Sequence, residues 1–304
     1  LRFIAANVGK NLRSCPASGR SAALLQPPPA FPPDFRITPE WEQRLLDIIR
    51  THDGSGESVG ICGVCLLHSF QIAAELLEDP HHPRTSGGYF FDAIPNTNPF
   101  DSFYERNSIL YTTFRDISQY YARTLAEPED AFLQTADRAF AGTISMLPQY
   151  NWQRLGAAID DDGIDSLLRS MLGAPAGTLF IVNLGRVSEG QTNVVGHSVV
   201  AIRTNDGIIS IPTNARTMTQ QRFRTRTAPT NDIDGLRLRL SLRGTHMLQI
   251  VALDVIEVRN AYHNPFEQML SLSNCTGEGE DRRGSGALPA ALWVNQCGSG
   301  ARCE

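Results

Sequence analysis

The sequence predicts an α+β fold, with a helical first part and an antiparallel β-sheet in the second part. Over residues 37–173, apolar side chains recur at the three- and four-residue spacing of helices that bury one face. From residue 174 to about 265, short runs rich in β-branched residues alternate with glycine and asparagine turns. Helices followed by strands are typical of α+β domains, in which the helices pack on the sheet. Residues 37–265 are therefore predicted to form one domain.

The composition is that of an ordinary globular protein. Of the 304 residues, 41% are hydrophobic and 19% are charged, which allows a substantial core. No apolar run approaches the ~20 residues that a membrane-spanning helix needs, so no stable membrane insertion is expected. The net charge of −5 gives no general basic surface, so no nucleic-acid partner is expected.

The helical part is predicted to contain several separate helices. Thr38-Pro39 is a typical helix start, with a capping residue and then proline at the first helical position, and this helix runs to about Arg50. A second helix carries Cys65 and ends before Asp79. Further helices are predicted at 109–125, 128–146 and 164–172, the last preceded by an Asp160-Asp161-Asp162-Gly163 cap and turn.

The second part is predicted to be a series of strands. Residues 178–184, 196–203 and 207–211 are rich in β-branched residues, and Asn205-Asp206-Gly207 predicts a hairpin between the last two. The strict alternation of Leu236–Leu242 predicts a half-exposed strand. Met247–Val258 is predicted to be one long strand or a pair of strands.

Cys65 is the candidate nucleophile. The glycine-rich run Gly54–Gly60 leads into an apolar helix, and Cys65 falls in its first turn. Unpaired backbone N–H groups and the positive end of the helix dipole favour a thiolate over a thiol at such a position. The alternative is a small buried hydrophobic residue, the usual role of a free cysteine.

His197 is the candidate base, and Asn214 is the candidate residue that orients it. His197 begins a predicted strand directly after Gly196, and the predicted hairpin returns to bring Asn214 beside the imidazole. An amide oxygen that accepts from the ring N–H would fix the tautomer and orientation of the histidine. The alternatives are an edge histidine with satisfied hydrogen bonds and a turn residue that follows proline.

Taken together, these positions resemble the papain-like cysteine peptidase superfamily. Cys62-Gly-Val-Cys65 is similar to the papain signature Cys-Gly-(Ser/Ala)-Cys-Trp, although Val64 and Leu66 depart from it, and His197 follows Cys65 by about 130 residues, as in that family. The resemblance implies that a nucleophile helix packs on the sheet, that Cys65, His197 and Asn214 are catalytic, and that no cofactor or metal is needed. It also implies that Cys62 is the family's disulfide-forming neighbour.

The resemblance implies hydrolysis of an amide through a thioester on Cys65. The substrate is a peptide bond in a protease or a glutamine side chain in a deamidase, and both remain open. Val59 stands where the family has its oxyanion glutamine, so Ser58 or Gln191 would have to replace it.

The two ends of the chain are predicted to lie outside the catalytic domain. Residues 1–36 include the proline-rich run Gln26–Pro33 and predict an extended arm. Residues 266–304 contain Cys275 and Cys297 on either side of a polar loop with Arg282-Arg283 at its tip, where a protease would cut. A disulfide across the loop would hold the fragments together until it is reduced.

This tail resembles the activation loop of bacterial AB-type toxin A subunits, and the depletion of lysine fits that setting. Lys10 is the single lysine among 27 basic residues. The resemblance implies secretion by a bacterium, a possible B-subunit oligomer as partner, and action on a host protein in the host cytosol. The alternatives are the codon usage of a GC-rich genome and an ordinary surface loop.

Two other chemistries remain open. Cys62-Gly-Val-Cys65 also resembles the redox pair of thioredoxin-like oxidoreductases, and Ile211-Pro-Thr resembles the proline turn of that fold. His263-Asn-Pro-Phe-Glu-Gln268 resembles, more distantly, the Glu-x-Glu stretch of ADP-ribosylating toxins, although the second glutamate is absent.

Overall fold

The computed structural model describes residues 28–51, 64–88, 90, 103–105, 107–112, 128–188, 190, 194–215 and 217–261. They belong to one compact unit, Pro28–His263. Several predicted features lie outside the described residues: the glycine-rich run at 54–60, Cys62, most of the arm 1–36, the ADP-ribosylation-like stretch and the tail with Cys275, Cys297, Arg282 and Arg283.

The fold is α+β, as predicted, and is built on an antiparallel sheet of five strands in the order β1-β7-β2-β3-β4. A separate small hairpin, formed by β5 and β6, precedes β7 in sequence. The strands are β1 (Gln153–Ala158), β2 (Thr178–Val187), β3 (Val195–Thr204), β4 (Gly207–Ile211), β5 (Leu242–Arg243), β6 (His246–Met247) and β7 (Gln249–Val258).

Six helices accompany these strands in the described part of the chain, together with short helical segments at 103–105 and 108–112. They are α1 (Pro39–Arg50), α2 (Val64–Glu78), α3 (Pro128–Met146), α4 (Asp161–Gly173), α5 (Gln220–Thr227) and α6 (Ile233–Ser241). No helix among the described residues is both long enough and apolar enough to cross a bilayer.

The sheet has a hydrophobic core on each face because its side chains alternate between the faces. Ile181, Val200 and Ile202 point into the core that includes helices α1 and α2. Phe180 and Val199, their neighbours along the strands, point into the core beneath α4 and α6. Both faces of the central strands are thus covered.

A buried ion pair joins the two helices on the first face. The guanidinium of Arg44 on α1 donates to both carboxylate oxygens of Glu75 on α2, at 2.7 Å and 2.5 Å, and also to the carbonyl of Gly87 at 2.8 Å. Only 2% of the Arg44 side chain and 6% of the Glu75 side chain are exposed. The pair therefore fixes α2, and Cys65 with it, against α1.

Several local predictions are confirmed. The Thr38 side chain caps α1, and the Asp160 side chain caps α4 by accepting from the Gly163 N–H. The β3–β4 hairpin turns through Asn205 and Asp206 into Gly207, whose φ of +131° favours glycine.

The predicted strand at Leu236–Leu242 is wrong, because this segment forms the helix α6. The Asp232 side chain accepts from the Gly235 N–H and starts the helix, and Leu236 and Leu240, four residues apart, are buried. The alternating leucines satisfied a strand pattern and a helix pattern equally, and the cap decided between them.

Two elements, β1 and α5, were not predicted from the sequence. In addition, part of the predicted extended arm packs against the domain. The edge strand β1 has few β-branched residues, and α5 has a single large apolar residue, Phe223, so neither carries a strong pattern. In the proline-rich segment, Phe31 and Phe35 are buried in the core, and the Phe31 N–H donates to the Gly177 carbonyl at 3.1 Å.

Candidate active site

Cys65 lies in the first turn of α2, which begins at Val64, and its thiol is free. Helix α2 packs on β3 through a chain of buried hydroxyl groups: Ser198 Oγ donates to Ser69 Oγ at 3.0 Å, and Ser69 Oγ donates to the Cys65 carbonyl at 3.0 Å. These bonds tie the turn that carries Cys65 to the strand that carries the candidate histidine.

The thiol faces the point where β3 and β4 separate. Their pairing ends at Val200 and Ile211, because Pro212 has no N–H to continue the ladder. Beyond this point, the N–H of Ser198 acts on the Cys65 thiol and lowers its pKa against the larger effect of burial, and the Thr213 hydroxyl donates to the Ser198 carbonyl. The gap between the strands therefore gives Cys65 a polar contact and an opening.

His197 precedes Ser198 on β3 and is half-buried. Cys65, His197 and Asn214 all line one cavity of about 510 Å³. Within the described residues, no hydrogen bond engages the His197 ring, so both of its nitrogens are available to a molecule in the cavity. All three predicted site residues thus line one cavity. Side chains alternate along β3, however, so His197 lies on the same face of the sheet as Val199, whereas Ser198 faces α2. The structure shows no contact between the described side chains of Cys65 and His197.

The free protein does not favour a charged cysteine–histidine pair. Burial raises the pKa of the Cys65 thiol, although the Ser198 N–H, the Arg186 charge and the N–H groups of Leu66 and Cys65 oppose this. The pKa of His197 is lowered well below its ordinary value, first by burial and then by neighbouring positive charges. The predicted thiolate is therefore corrected: the N–H groups of the helix end do act on the sulfur, but burial outweighs them.

Asn214 lines the cavity, but its side chain is exposed and makes no hydrogen bond to His197. Its backbone N–H donates instead to Nδ1 of His68, at 3.0 Å. Its φ of +46° is a left-handed conformation that asparagine tolerates better than most residues. The structure places Asn214 at the site without showing the orienting bond.

His68, which was not predicted, supports the cavity wall from inside. It is completely buried on α2, one turn after Cys65. Its Nδ1 accepts from Asn214, and its Nε2 lies 3.0 Å from Thr51 Oγ1 and 3.3 Å from the Thr51 carbonyl. Because a carbonyl only accepts, Nε2 carries the proton and His68 is neutral. His68 thus links α1, α2 and the segment after β4.

Five arginines line the rest of the cavity: Arg186, Arg222, Arg226, Arg239 and Arg243. The sequence signal for four of them was the density of arginine at 222–243, which does not include Arg186. The prediction of a strand at Leu236–Leu242 concealed that signal, because it separated Arg239 from the arginines of α5. Among the described residues, no group of three or more His, Cys, Asp or Glu is placed to hold a metal ion.

The comparisons with known proteins identify the family only. A family model described as a protein of unknown function, DUF1561, matches residues 1–304, so the chain belongs to this family. No curated protein and no solved structure matches the chain.

Proposed function

We propose that this DUF1561 protein is a cysteine hydrolase that acts on an amide of a host protein, with Cys65 as nucleophile and His197 as base. The observation that supports this most is the meeting of a free thiol in the first turn of a helix with an unbonded strand histidine at one cavity. A helix-borne cysteine followed by a strand-borne histidine on an antiparallel sheet also suits a distant papain-like arrangement.

The proposed reaction has two halves. His197 takes the proton of the Cys65 thiol, and the sulfur attacks the amide carbon to give a tetrahedral oxyanion. Backbone N–H groups at the start of α2 stabilise this oxyanion. The C–N bond then breaks, His197 protonates the departing amine, and a thioester remains on Cys65.

Water completes the cycle. His197 removes a proton from a water molecule, the hydroxide adds to the thioester carbon, and the C–S bond breaks to release a carboxylic acid and the thiol. If the amide is a peptide bond, the product is a cleaved chain. If it is a glutamine side chain, the products are glutamate and ammonia. Asn214, at the cavity wall, is the candidate residue that orients His197.

The biological setting is part of the proposal and is supported by sequence alone. Cleavage at Arg282-Arg283 and reduction of a Cys275–Cys297 disulfide would release the catalytic part of a secreted bacterial toxin, with a B-subunit oligomer as carrier. Lysine depletion favours a protein that works in a host cytosol.

Covalent labelling tests the proposed site. Glutamine-containing peptides with a terminal chloromethyl ketone are incubated with the wild-type protein, C65S, C62S and H197N, before and after trypsin nicking and reduction. We expect one label on Cys65, retained in C62S, lost in C65S and at least ~100-fold slower in H197N. Equal labelling of C65S would overturn the assignment. Equal dependence on Cys62 and Cys65 would favour the thioredoxin-like alternative.

A further inference from the structure

The cavity beside Cys65 is positively charged on one side. Its arginines come from four elements: Arg186 from β2, Arg222 and Arg226 from α5, Arg239 from α6, and Arg243 from β5. No carboxylate lines the cavity among the described residues, and none of these five arginines forms an ion pair. By contrast, Arg237, elsewhere on α6, pairs with Asp165 at 2.6 Å.

Backbone carbonyl groups hold two of these guanidinium groups, those of Arg186 and Arg226, in place without neutralising them. Nη1 of Arg186 donates to the carbonyls of Leu240 and Leu242, at 3.2 Å each, and Arg226 also donates to Leu242. Both carbonyls lie at the end of α6, where the helix dipole is negative and favours cations. The positive charges are thus positioned before any ligand arrives.

Arg186 has a hydrogen-bond donor that the protein does not use. The residue is only 3% exposed, and its Nε is buried without a partner. Burial lowers the pKa of Arg186 and that of Arg226 to about 10, so both remain charged at neutral pH. A buried charged group with an unsatisfied donor is costly unless a ligand completes it.

We infer that the arginine side of the cavity is an anion subsite, which binds an oxyanion group of the protein substrate next to the amide that Cys65 attacks. The identity of the substrate rests on the proposed function, but the charge of the group follows from the cavity itself. Carboxylate and phosphate share the chemistry that guanidinium groups recognise, and arginine binds both through paired N–H donors. The cavity, at about 510 Å³, is of ordinary size for a ligand site.

The subsite also affects the chemistry at His197. The arginine charges that lower the pKa of His197, after burial, are those of Arg186, Arg226 and Arg243. An anion bound among the arginines offsets their field and raises the pKa of His197 toward its ordinary value. A substrate with an acidic group would therefore make the base more able to accept the proton of Cys65.

Peptide binding to full-length C65S, which cannot form a thioester, tests the inference apart from catalysis. Three synthetic peptides of one length carry glutamine beside two glutamates, a phosphoserine or two neutral residues. We expect at least one charged peptide to bind ten or more times more tightly than the neutral one, measured by calorimetry. Whichever charged peptide binds more tightly shows whether the subsite prefers a carboxylate or a phosphate.

Arg222→Gln/Arg243→Gln, made in C65S, is the informative variant, because neither side chain makes a hydrogen bond in the structure and the fold should persist. In this double variant, the ratio of the affinities for the charged and neutral peptides should fall at least tenfold. The control Arg84→Gln, at a distant exposed ion pair, should leave that ratio unchanged. Equal binding of all three peptides, an unchanged preference in the double variant, or a stronger preference for an oligonucleotide of equal charge would overturn the inference. If the charged peptide binds selectively but the wild-type protein hydrolyses none of the peptides, the anion subsite is supported and the proposed hydrolase function is contradicted.

Discussion

The backbone N–H of Ser198 lowers the pKa of the Cys65 thiol, against the larger effect of burial, and so couples the start of α2 to β3 one residue away from His197. Because β4 leaves β3 at Pro212, the Ser198 N–H has no partner on β4. A break in the sheet thus supplies both the opening of the cavity and a donor at the candidate nucleophile.

The alkylation rate of Cys65 should depend on pH with a midpoint above the ordinary cysteine value in the free protein, because burial raises the pKa of the thiol. Arg186→Met removes a charge that favours the thiolate, so it should move the midpoint higher still. Iodoacetamide labelling followed by mass spectrometry of the Cys65 peptide measures both. A midpoint below the ordinary value would contradict the described environment.

Asn214→Gly tests whether the Asn214 side chain orients His197. Glycine accepts the positive φ, so the hydrogen bond from the backbone N–H to His68 should persist while the side chain is removed. If the side chain orients the base, kcat should fall at least ~10-fold with little change in KM. An unchanged kcat would remove Asn214 from the candidate catalytic residues.

Glu75→Gln should destabilise the fold by roughly 3–5 kcal/mol, because it removes one charge of a buried ion pair. The exposed pair of Glu78 and Arg84 provides a matched control on the same helix, and Glu78→Gln should change the free energy of unfolding by less than about 1 kcal/mol. Urea denaturation measures both. Equal effects would show that burial of the first pair has no energetic consequence.

Asp254 should make the fold less stable as the pH rises. Burial raises its pKa to about 6, against the opposing hydrogen bonds from Asn183 and Arg154. Between about pH 4 and pH 6 the folded state keeps a proton that the unfolded state has lost, so the free energy of unfolding falls with increasing pH.

The total effect is about 3 kcal/mol, from a pKa raised by about two units. Asp254→Asn removes the titration, so the difference in unfolding free energy between variant and wild type should vary with pH by that amount and level off above pH 6. Denaturation at pH 4 and pH 7.5 tests this. A difference that is the same at both values would contradict the raised pKa.

Much of the fold could be predicted from local sequence patterns. The cap at Thr38, the hairpin at Asn205-Asp206-Gly207 and the helix that carries Cys65 each depend on neighbouring residues, and each was predictable from sequence. Leu236–Leu242 was not, because its leucines fit two periods and the choice depended on the Asp232 cap and on packing against the sheet.

The site was predictable in part for the same reason. Cys65 and His197 have local signals, a helix start and a strand start. The arginine subsite has only the density of arginine at 222–243, and Arg186, far from that segment in sequence, joins it only through the tertiary fold. Burial is likewise a property of the assembled core, which is why the direction of the Cys65 pKa could not be read from the helix start alone.

The most direct test of the proposed function is a comparison of host-cell lysate treated with nicked, reduced wild-type protein and with C65S prepared in the same way. Mass spectrometry then scores new peptide N-termini and conversions of glutamine to glutamate. We expect one of these two changes, near acidic or phosphorylated residues, with wild type and at least ~1,000-fold less with C65S. The same changes at equal rates in both samples, or no change in either, would contradict the proposed function.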